Sequence, residues 1–220
     1  MDGRAERTHP RMRDLPKPRE NPSVLGASFA WIFQWPYRFA LWGLFRAGFR
    51  PYQLSLLSLL GNAACAALLL SGRRLVPGFV LLGAGLFDIF DGGVARLRRE
   101  ETRKGALLDA VNDRLSDGMV FGAIFYAEFT VHDNAVNAAL ALSALVVSLL
   151  VSHFRAEGEA AGVPMSEGSV QRLERYVGLT LGLTVPGLLP WALGSLTALG
   201  LVTTFQRAAR GWRALREAER

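Results

Sequence analysis

The sequence predicts an all-α integral membrane protein, with six transmembrane helices preceded by an N-terminal interfacial amphipathic helix. Half of the 220 residues are apolar, and they collect in runs of about 20 residues, the length at which an α-helix crosses a bilayer. Lys and Arg lie at the ends of these runs, where basic residues set membrane orientation and contact lipid headgroups. The net charge of +6 therefore indicates a lipid bilayer as the partner, and we expect no binding to nucleic acid.

The N-terminal quarter of the chain is predicted to stay outside the membrane core. Residues 1–22 are polar, basic and rich in proline, so we expect a flexible cytosolic tail. Residues 23–50 are expected to form a juxtamembrane helix. Hydropathy alone would allow this helix to span the membrane, but its three tryptophans and the central Gln34, Pro36 and Arg38 favour a position in the interface, with the aromatic face in lipid.

The remaining apolar runs predict six spans within a domain of residues 51–207. Pro51 opens the first span, because a proline in the first helical turn loses no hydrogen bond. Pro186 and Pro190 are expected to mark the break between the last two spans, and residues 208–220 are expected to form a basic cytosolic tail. The predicted spans are Tyr52–Leu70, Leu75–Leu97, Ala106–Thr130, Asn134–Phe154, Tyr176–Leu189 and Trp191–Phe205.

Alternate connections differ in basic charge, and this difference predicts the orientation. Both tails and the connections at residues 98–104 and 155–175 are basic, whereas Arg73 and Arg74 are the basic residues on the other side. Positive charge is concentrated on the cytosolic side of membrane proteins. We therefore expect a multi-pass protein of the cell (inner) membrane with both termini in the cytosol.

Two pairs of aspartates lie at the facing ends of the second and third predicted spans, Asp88 with Asp91 and Asp109 with Asp113. A spacing of three or four residues places both members of a pair on one helix face. A carboxylate within a membrane helix costs about 2.5 to 3.5 kcal/mol, so four of them together require compensating charge. Divalent cations at the cytosolic membrane edge meet that requirement.

The residues between the two aspartate pairs indicate which type of reaction the site supports. Gly92 and Gly93 follow Asp91 without side chains, which lets backbone or a flat ligand approach closely, and Gly105 does the same before the third span. Arg96 lies one turn after Gly92, where its guanidinium can bind a phosphate. Metal ions, close backbone and a phosphate-binding arginine together indicate phosphoryl transfer, in which positioning and charge neutralisation supply most of the catalysis.

The spacing D-x2-D-G-x2-A-R-x8-G-x3-D-x3-D resembles the signature of the CDP-alcohol phosphotransferases, integral membrane enzymes of phospholipid synthesis. The resemblance covers about residues 25–210, and every fixed position of the signature is met. It implies two Mg²⁺ ions, or Mn²⁺, held by the four aspartates against the pyrophosphate of a CDP-linked lipid. It also implies that Asp113 takes a proton from the acceptor hydroxyl, whose oxygen then attacks the lipid-side phosphorus and releases CMP.

Three further stretches, FRAGFRPYQLSLLS, LLDAVNDRLSDG and VQRLER, resemble the bacterial phosphatidylinositol phosphate synthases within that family. This resemblance implies CDP-diacylglycerol (CDP-DAG) and a small phosphorylated alcohol as substrates, with inositol phosphate as the expected acceptor. The residues implied to bind the CDP-lipid are Pro51, Tyr52, Gln53, Leu54, Gly92, Ala95, Arg96, Thr102 and Gly105.

Three arginines, Arg155, Arg172 and Arg207, lie at the cytosolic ends of the last three predicted spans, where they can bind an acceptor phosphate. Positive-inside anchoring is an equal explanation for them. The subgroup typically has a stretch like SYxKARAE, whereas this chain reads SHFRAEGE from Ser152, so that Glu157 replaces the second basic residue. Glycerol 3-phosphate, giving phosphatidylglycerol phosphate, therefore remains the alternative acceptor.

A divalent-cation transporter is the alternative from a different functional class. Transport requires polar residues near the bilayer midplane in several helices, whereas the acidic residues here gather at one membrane edge. Asp117, one turn beyond Asp113, is interpreted as the structural partner of a nearby arginine.

The small-xxx-small pairs Gly118/Gly122 and Gly178/Gly182 permit close helix packing, either inside the bundle or in a homodimer.

Overall fold

The computed structural model describes residues 24–163, 165 and 172–218, with side chains described for 35–163, 165 and 175–217. Every regular element in these ranges is an α-helix, and no strand occurs in them, which confirms the all-α prediction. The helices are α1 (Val24–Arg46), α2 (Pro51–Leu70), α3 (Leu75–Arg98), α4 (Arg103–Thr130), α5 (Ala135–Ala160), α6 (Arg172–Thr184) and α7 (Leu189–Ala218).

Two predictions concern parts of the chain outside the described residues. The tail predicted for residues 1–22 is one of them. The other is the side chain of Arg172, although its backbone begins α6. Helix α1 occupies most of the juxtamembrane segment predicted for residues 23–50, with Pro36 inside it. Its position in the membrane interface remains a prediction.

The helices near the aspartates begin and end where local chemistry favours it. The Thr102 hydroxyl accepts a hydrogen bond from the Gly105 amide at 3.0 Å and so caps the start of α4. Helix α3 ends at Arg98, and the residue that follows, Arg99, adopts a positive φ of 55°. The short connection between α3 and α4 thus places Asp88, Asp91 and Asp109 near neighbouring helix ends. At the other end of α4, Asn134 caps α5 by accepting a hydrogen bond from the Asn137 amide at 3.0 Å.

The last two helices differ from the predicted spans. Helix α6 ends at Thr184, and Gly187 has a φ of 78° in the connection that follows. Pro190 lies inside the first turn of α7, so the predicted break there is wrong for this proline, which a helix accepts in its first turn. Helix α7 continues to Ala218, so most of the predicted basic tail is helical.

Three helices of the described chain are long and apolar enough to cross a membrane, namely α2, α3 and α5. Helices α4 and α7 are longer than a bilayer requires, at 28 and 30 residues, but their ends carry several charges. Helix α6 has 13 residues, fewer than the 17 or so that a span needs. That α4, α6 and α7 also span the membrane, which would give six spans in total, therefore remains a prediction.

The bundle packs most extensively along α2 with α3 and along α5 with α7, while α4 lies between α2 and α5. Helix α6 packs against α3 and α7. The main core lies among α2 to α7, and small residues bring some helices close together. A Cβ added to Gly61 would lie 2.9 Å from Ala84, and one added to Gly182 would lie 2.8 Å from Ala192. Around Gly118, by contrast, no described atom lies within 4 Å of an added Cβ.

A buried ion pair joins three elements at the end of the bundle away from the aspartates. Glu128 of α4 is 2% exposed, and its carboxylate lies 2.7 Å from an Nη2 atom of Arg74, in the connection before α3. The Asn137 side chain of α5 donates a second hydrogen bond to it at 2.8 Å. A buried carboxylate is tolerated when it is both paired and hydrogen-bonded, and this arrangement provides both.

Helix α1 packs on α3 through one face. Tyr37 stacks on Phe90 with ring centroids 5.5 Å apart, and Leu41 is fully buried. Trp35 and Phe39, on the outer side of α1, are exposed. Aromatic side chains on an exposed helix face are typical of a helix in the membrane interface.

Gly93 provides the space for this packing. A Cβ at Gly93 would lie 2.6 Å from the Tyr37 hydroxyl oxygen and 2.8 Å from Leu41 Cδ1. We expected both glycines after Asp91 to let backbone or a flat ligand approach closely; at Gly93 the close approach is made by side chains of α1. Among the described residues, a Cβ at Gly92 would meet Arg96 Nη1 alone, at 3.7 Å.

The Gly93→Ala substitution is expected to destabilise the protein by about 1 to 3 kcal/mol, because the new methyl group overpacks the contact between α1 and α3. For a chain of this size, the thermal midpoint would fall by about 2 to 10 °C. Thermal unfolding of the detergent-solubilised protein measures the change. Gly92→Ala is the matched control, since both glycines are helical and share the gain in helix propensity. Equal thermal midpoints for the two variants would contradict the close packing of α1 against Gly93.

Candidate metal centre

Three of the four predicted aspartates meet at the end of the bundle. One carboxylate oxygen from each of Asp88, Asp91 and Asp109 lies within 4.8 Å of the others. Asp88 and Asp91 are buried, at 8% and 7% exposed, whereas Asp109 is exposed. Oxygen ligands bind Mg²⁺ or Ca²⁺ at about 2.0 to 2.6 Å, so a single divalent ion can be contacted by all three. An all-oxygen, anionic ligand set is also the type that Mg²⁺ and Mn²⁺ prefer.

The fourth predicted ligand, Asp113, lies one turn after Asp109 on α4 and is partly buried. It is not a member of the group of three defined by the 4.8 Å spacing. Its predicted roles, as a metal ligand and as the catalytic base, therefore stay predictions.

A serine that sequence reasoning missed contacts this cluster. The Ser55 hydroxyl of α2 donates a hydrogen bond to Asp91 Oδ2 at 2.6 Å. Ser55 lies one turn after Pro51 and directly follows the residues Pro51 to Leu54 implied to line the nucleotide pocket. The spacing of the two residues was therefore a signal for Ser55, but the contact with Asp91 depends on how α2 packs against α3.

The residues implied to bind the CDP-lipid fall into different environments. Tyr52 is exposed at the start of α2, whereas Leu54 is fully buried. Leu54 belongs to the core that α1 forms with α2 and α3, so its side chain presents no exposed surface to a ligand. Pro51, Gln53 and Ala95 are partly buried. Two more of these residues, Thr102 and Gly105, form the cap of α4 described above.

Arg96 lies between the cluster and α1. Its guanidinium hydrogen-bonds to the Tyr37 hydroxyl, whose pKa is raised by burial and, to a smaller extent, by the nearby Asp91 carboxylate. The positive charge of Arg96 and its hydrogen bond act in the opposite direction on that pKa. The predicted phosphate-binding arginine therefore lies near the acidic cluster and contacts the juxtamembrane helix.

Two of the three predicted acceptor arginines lie near one another. Arg207 is 8% exposed and donates a hydrogen bond from Nη1 to the Val151 carbonyl oxygen at 2.6 Å. Burial lowers the pKa of the Arg207 guanidinium, the positive charge of Arg155 lowers it further, and Glu159 raises it. Arg155 is exposed and pairs with Glu159 at 2.9 Å. Glu157, which replaces the expected basic residue, is also exposed.

The predicted pairing of Asp117 with an arginine is confirmed. Asp117 Oδ2 lies 2.7 Å from Arg175 Nη1 and accepts a hydrogen bond from the Ser148 hydroxyl at 2.6 Å. These contacts join α4, α5 and α6 one helical turn beyond Asp113. Asp117 therefore has a structural explanation that needs no metal.

An acidic cluster able to hold a divalent cation, beside an arginine and at the end of an apolar helical bundle, defines a membrane-bound phosphotransferase site. The sequence profile described as CDP-alcohol phosphatidyltransferase matches residues 49–206. The chain belongs to the CDP-alcohol phosphatidyltransferase family and is a transferase of phospholipid biosynthesis. This confirms the resemblance and leaves no support for the transporter alternative.

Relatives with curated names place the chain near one branch of the family. A phosphatidylinositol phosphate synthase of Corynebacterium glutamicum is 38% identical over 165 residues, covering 71% of this chain and 75% of the relative. An archaetidylinositol phosphate synthase of Methanothermobacter thermautotrophicus is 33% identical and covers 74% of this chain and 83% of the relative. Both names describe synthases of an inositol phosphate lipid.

Solved structures of a third relative are similar in fold. Mycobacterium tuberculosis phosphatidylinositol phosphate synthase with CDP-DAG bound has a TM-score of 0.70 and 30% identity, covering 79% of this chain and 92% of that one. The same enzyme in complex with manganese and citrate also has a TM-score of 0.70 and 30% identity, covering 79% and 87%. The manganese complex of that relative and the acidic cluster of this chain together indicate divalent-metal binding.

Divalent metal is expected to stabilise the protein, because a ligand that binds the folded state raises its unfolding free energy. At 100 times the dissociation constant, Mn²⁺ should raise the thermal midpoint by about 5 to 10 °C. Asp109→Asn should lose this rise while keeping the metal-free midpoint, because Asp109 is exposed. Asp133→Asn, at the far end of α4, is the control that should keep it. A metal response that is unchanged in Asp109→Asn would contradict the site.

Proposed function

We propose that the protein transfers the phosphatidyl group of CDP-DAG to a hydroxyl of inositol phosphate, forming phosphatidylinositol phosphate and CMP. The observation that carries this proposal is the cluster of Asp88, Asp91 and Asp109, with Arg96 nearby and a second basic region at Arg207. The names of the relatives support the choice of both substrates.

The acidic residues would hold the metal cofactor. We assign Asp88, Asp91, Asp109 and Asp113 as ligands of two Mg²⁺ ions, with Mn²⁺ as a possible substitute. When bound, the cations supply charge neutralisation for the pyrophosphate and for the departing CMP. Gly92 leaves open space beside the cluster, since an added Cβ there would meet only the end of the Arg96 side chain.

The transfer requires a group that accepts a proton, and it replaces one phosphorus–oxygen bond with another. Asp113 accepts the proton from the acceptor hydroxyl, and the oxygen attacks the phosphorus on the lipid side of the pyrophosphate. The bond between this phosphorus and the bridging oxygen breaks, and CMP leaves with the electron pair. Arg96 would hold a phosphate oxygen through charge-assisted hydrogen bonds, with its side chain kept in place by Tyr37.

The acceptor phosphate would bind at the cytosolic ends of α5 and α7. Arg207 is buried and fixed by the Val151 carbonyl, and the nearby Arg155 adds a second positive charge. A phosphate dianion would bind both guanidinium groups, and Arg172 would complete the set. Because Glu157 stands where the subgroup typically has a basic residue, glycerol 3-phosphate is kept as the second candidate acceptor.

The membrane arrangement follows from helix length and charge. A helix of 30 residues is about 45 Å long, and the hydrocarbon core is about 30 Å thick. Helix α7 therefore extends beyond the membrane at its basic end, where Arg207 contacts α5. We assign this end, with the aspartate cluster, to the cytosolic face of the inner membrane, and we assign α4, α6 and α7 as the remaining spans. A homodimer remains a prediction, and Gly118 is open to a partner helix.

Purified protein with CDP-DAG and Mg²⁺ is expected to release CMP fastest with inositol phosphate, because the basic residues near α5 and α7 select a phosphorylated acceptor. The measurement compares CMP release with inositol phosphate, glycerol 3-phosphate, inositol, serine and no acceptor. Preference for glycerol 3-phosphate would establish the alternative. CMP release with none of them would refute the proposed reaction, and release with serine alone would remove the acceptor role of the arginines.

Asp113→Asn is expected to lower the rate of CMP release by at least about 100-fold, because a general base contributes roughly 10² to 10⁴ in rate. Binding of CDP-DAG, measured with the purified variant, should persist because the three clustered aspartates remain. Asp133→Asn, at the opposite end of α4, is expected to retain full turnover. Normal turnover in Asp113→Asn would exclude Asp113 as the base.

A further inference from the structure

The hydrogen bond from Ser55 to Asp91 crosses between α2 and α3 beside the metal cluster. The Ser55 hydroxyl lies 2.6 Å from Asp91 Oδ2 and 3.2 Å from the Pro51 carbonyl oxygen. A serine hydroxyl has one proton to donate, and a hydrogen bond to a carboxylate is shorter and stronger than one to a neutral acceptor. The proton therefore lies toward Asp91.

This bond restricts the orientation of the Asp91 carboxylate. The final torsion of an aspartate side chain is broad when nothing holds it. Ser55 occupies one acceptor position on Oδ2 and thereby fixes the plane of the carboxylate relative to α2. Groups that hydrogen-bond to a metal ligand orient it, and their loss typically weakens metal affinity or activity by about 10 to 100-fold.

We propose that Ser55 is a positioning residue that holds the Asp91 carboxylate in the orientation needed for divalent metal. This role rests on the metal site proposed above. It gives α2 a function at the cluster that is separate from nucleotide binding.

A second serine in the bundle makes a bond of the same kind away from the metal cluster. The Ser148 hydroxyl of α5 donates a hydrogen bond to Asp117 Oδ2 of α4 at 2.6 Å. Like the bond from Ser55 to Asp91, it joins two different helices. Loss of the Ser55 hydroxyl removes its hydrogen bond to Asp91, whereas loss of the Ser148 hydroxyl removes two bonds between helices, because Ser148 also accepts one from Arg175 Nη1. A purely structural contribution would therefore be at least as large at Ser148 as at Ser55. Of these two serines, Ser55 is the one whose partner belongs to the acidic cluster.

The test is titration of the full-length, detergent-solubilised protein with Mn²⁺, with free Mn²⁺ measured by electron paramagnetic resonance. Ser55→Ala is expected to bind Mn²⁺ about 10-fold more weakly, and Ser55→Thr, which keeps the hydroxyl, should restore the affinity. Ser148→Ala should bind as tightly as the unmodified protein. Asp109→Asn serves as the variant that removes a ligand and should lose binding.

The outcomes separate this proposal from the one on which it rests. No Mn²⁺ binding by the unmodified protein would overturn the metal site and the role of Ser55 together. Binding that Asp109→Asn loses but Ser55→Ala retains in full would overturn the role of Ser55 alone. An equal loss of affinity in Ser55→Ala and Ser148→Ala would also overturn it, because the effect would then belong to helix packing in general.

Discussion

The structure depends on keeping carboxylates buried at the end of an apolar bundle. Two other buried acids, Asp117 and Glu128, each lie against an arginine and a second polar side chain. Asp88 and Asp91 converge instead with Asp109. Concentrated negative charge in a poorly hydrated place raises the free energy of the protein unless a cation is bound. Buried negative charge is thus stabilised by protein side chains at Asp117 and Glu128, whereas a bound cation would stabilise it at the acidic cluster.

The juxtamembrane helix is part of this functional end. Tyr37 fills the space left by Gly93 and contacts Arg96, so α1 closes the side of α3 on which Gly93 lies. One glycine of the adjacent pair thus serves packing and the other leaves room beside the aspartates. The outer face of α1, with Trp35 and Phe39 exposed, suits contact with lipid. The exposed aromatic face of α1 and the contact with Arg96 are therefore connected through a single helix.

Spacing alone predicted much of the fold and of the site. A spacing of three or four residues placed the acids of each pair on one helix face, and the basic stretch between Asp91 and Asp109 placed the two helix ends together. A nearby arginine was predicted for Asp117, but its identity as Arg175 of α6 depends on packing. The features that the sequence analysis did not predict depend on three-dimensional packing. The contact of Ser55 requires the register of α2 on α3, and the role of Gly93 requires the path of α1. Pro190 misled because proline both breaks a helix and begins one.

The ion pair between Arg74 and Glu128 ties together the end of the bundle away from the aspartates. It joins the α2–α3 connection to α4 and, through Asn137, to α5. Separating a carboxylate this deeply buried from its partner is costly, so this end resists separation of its helices. A cross-link at one end leaves relative helix movement to be accommodated toward the other end, where the acidic cluster lies.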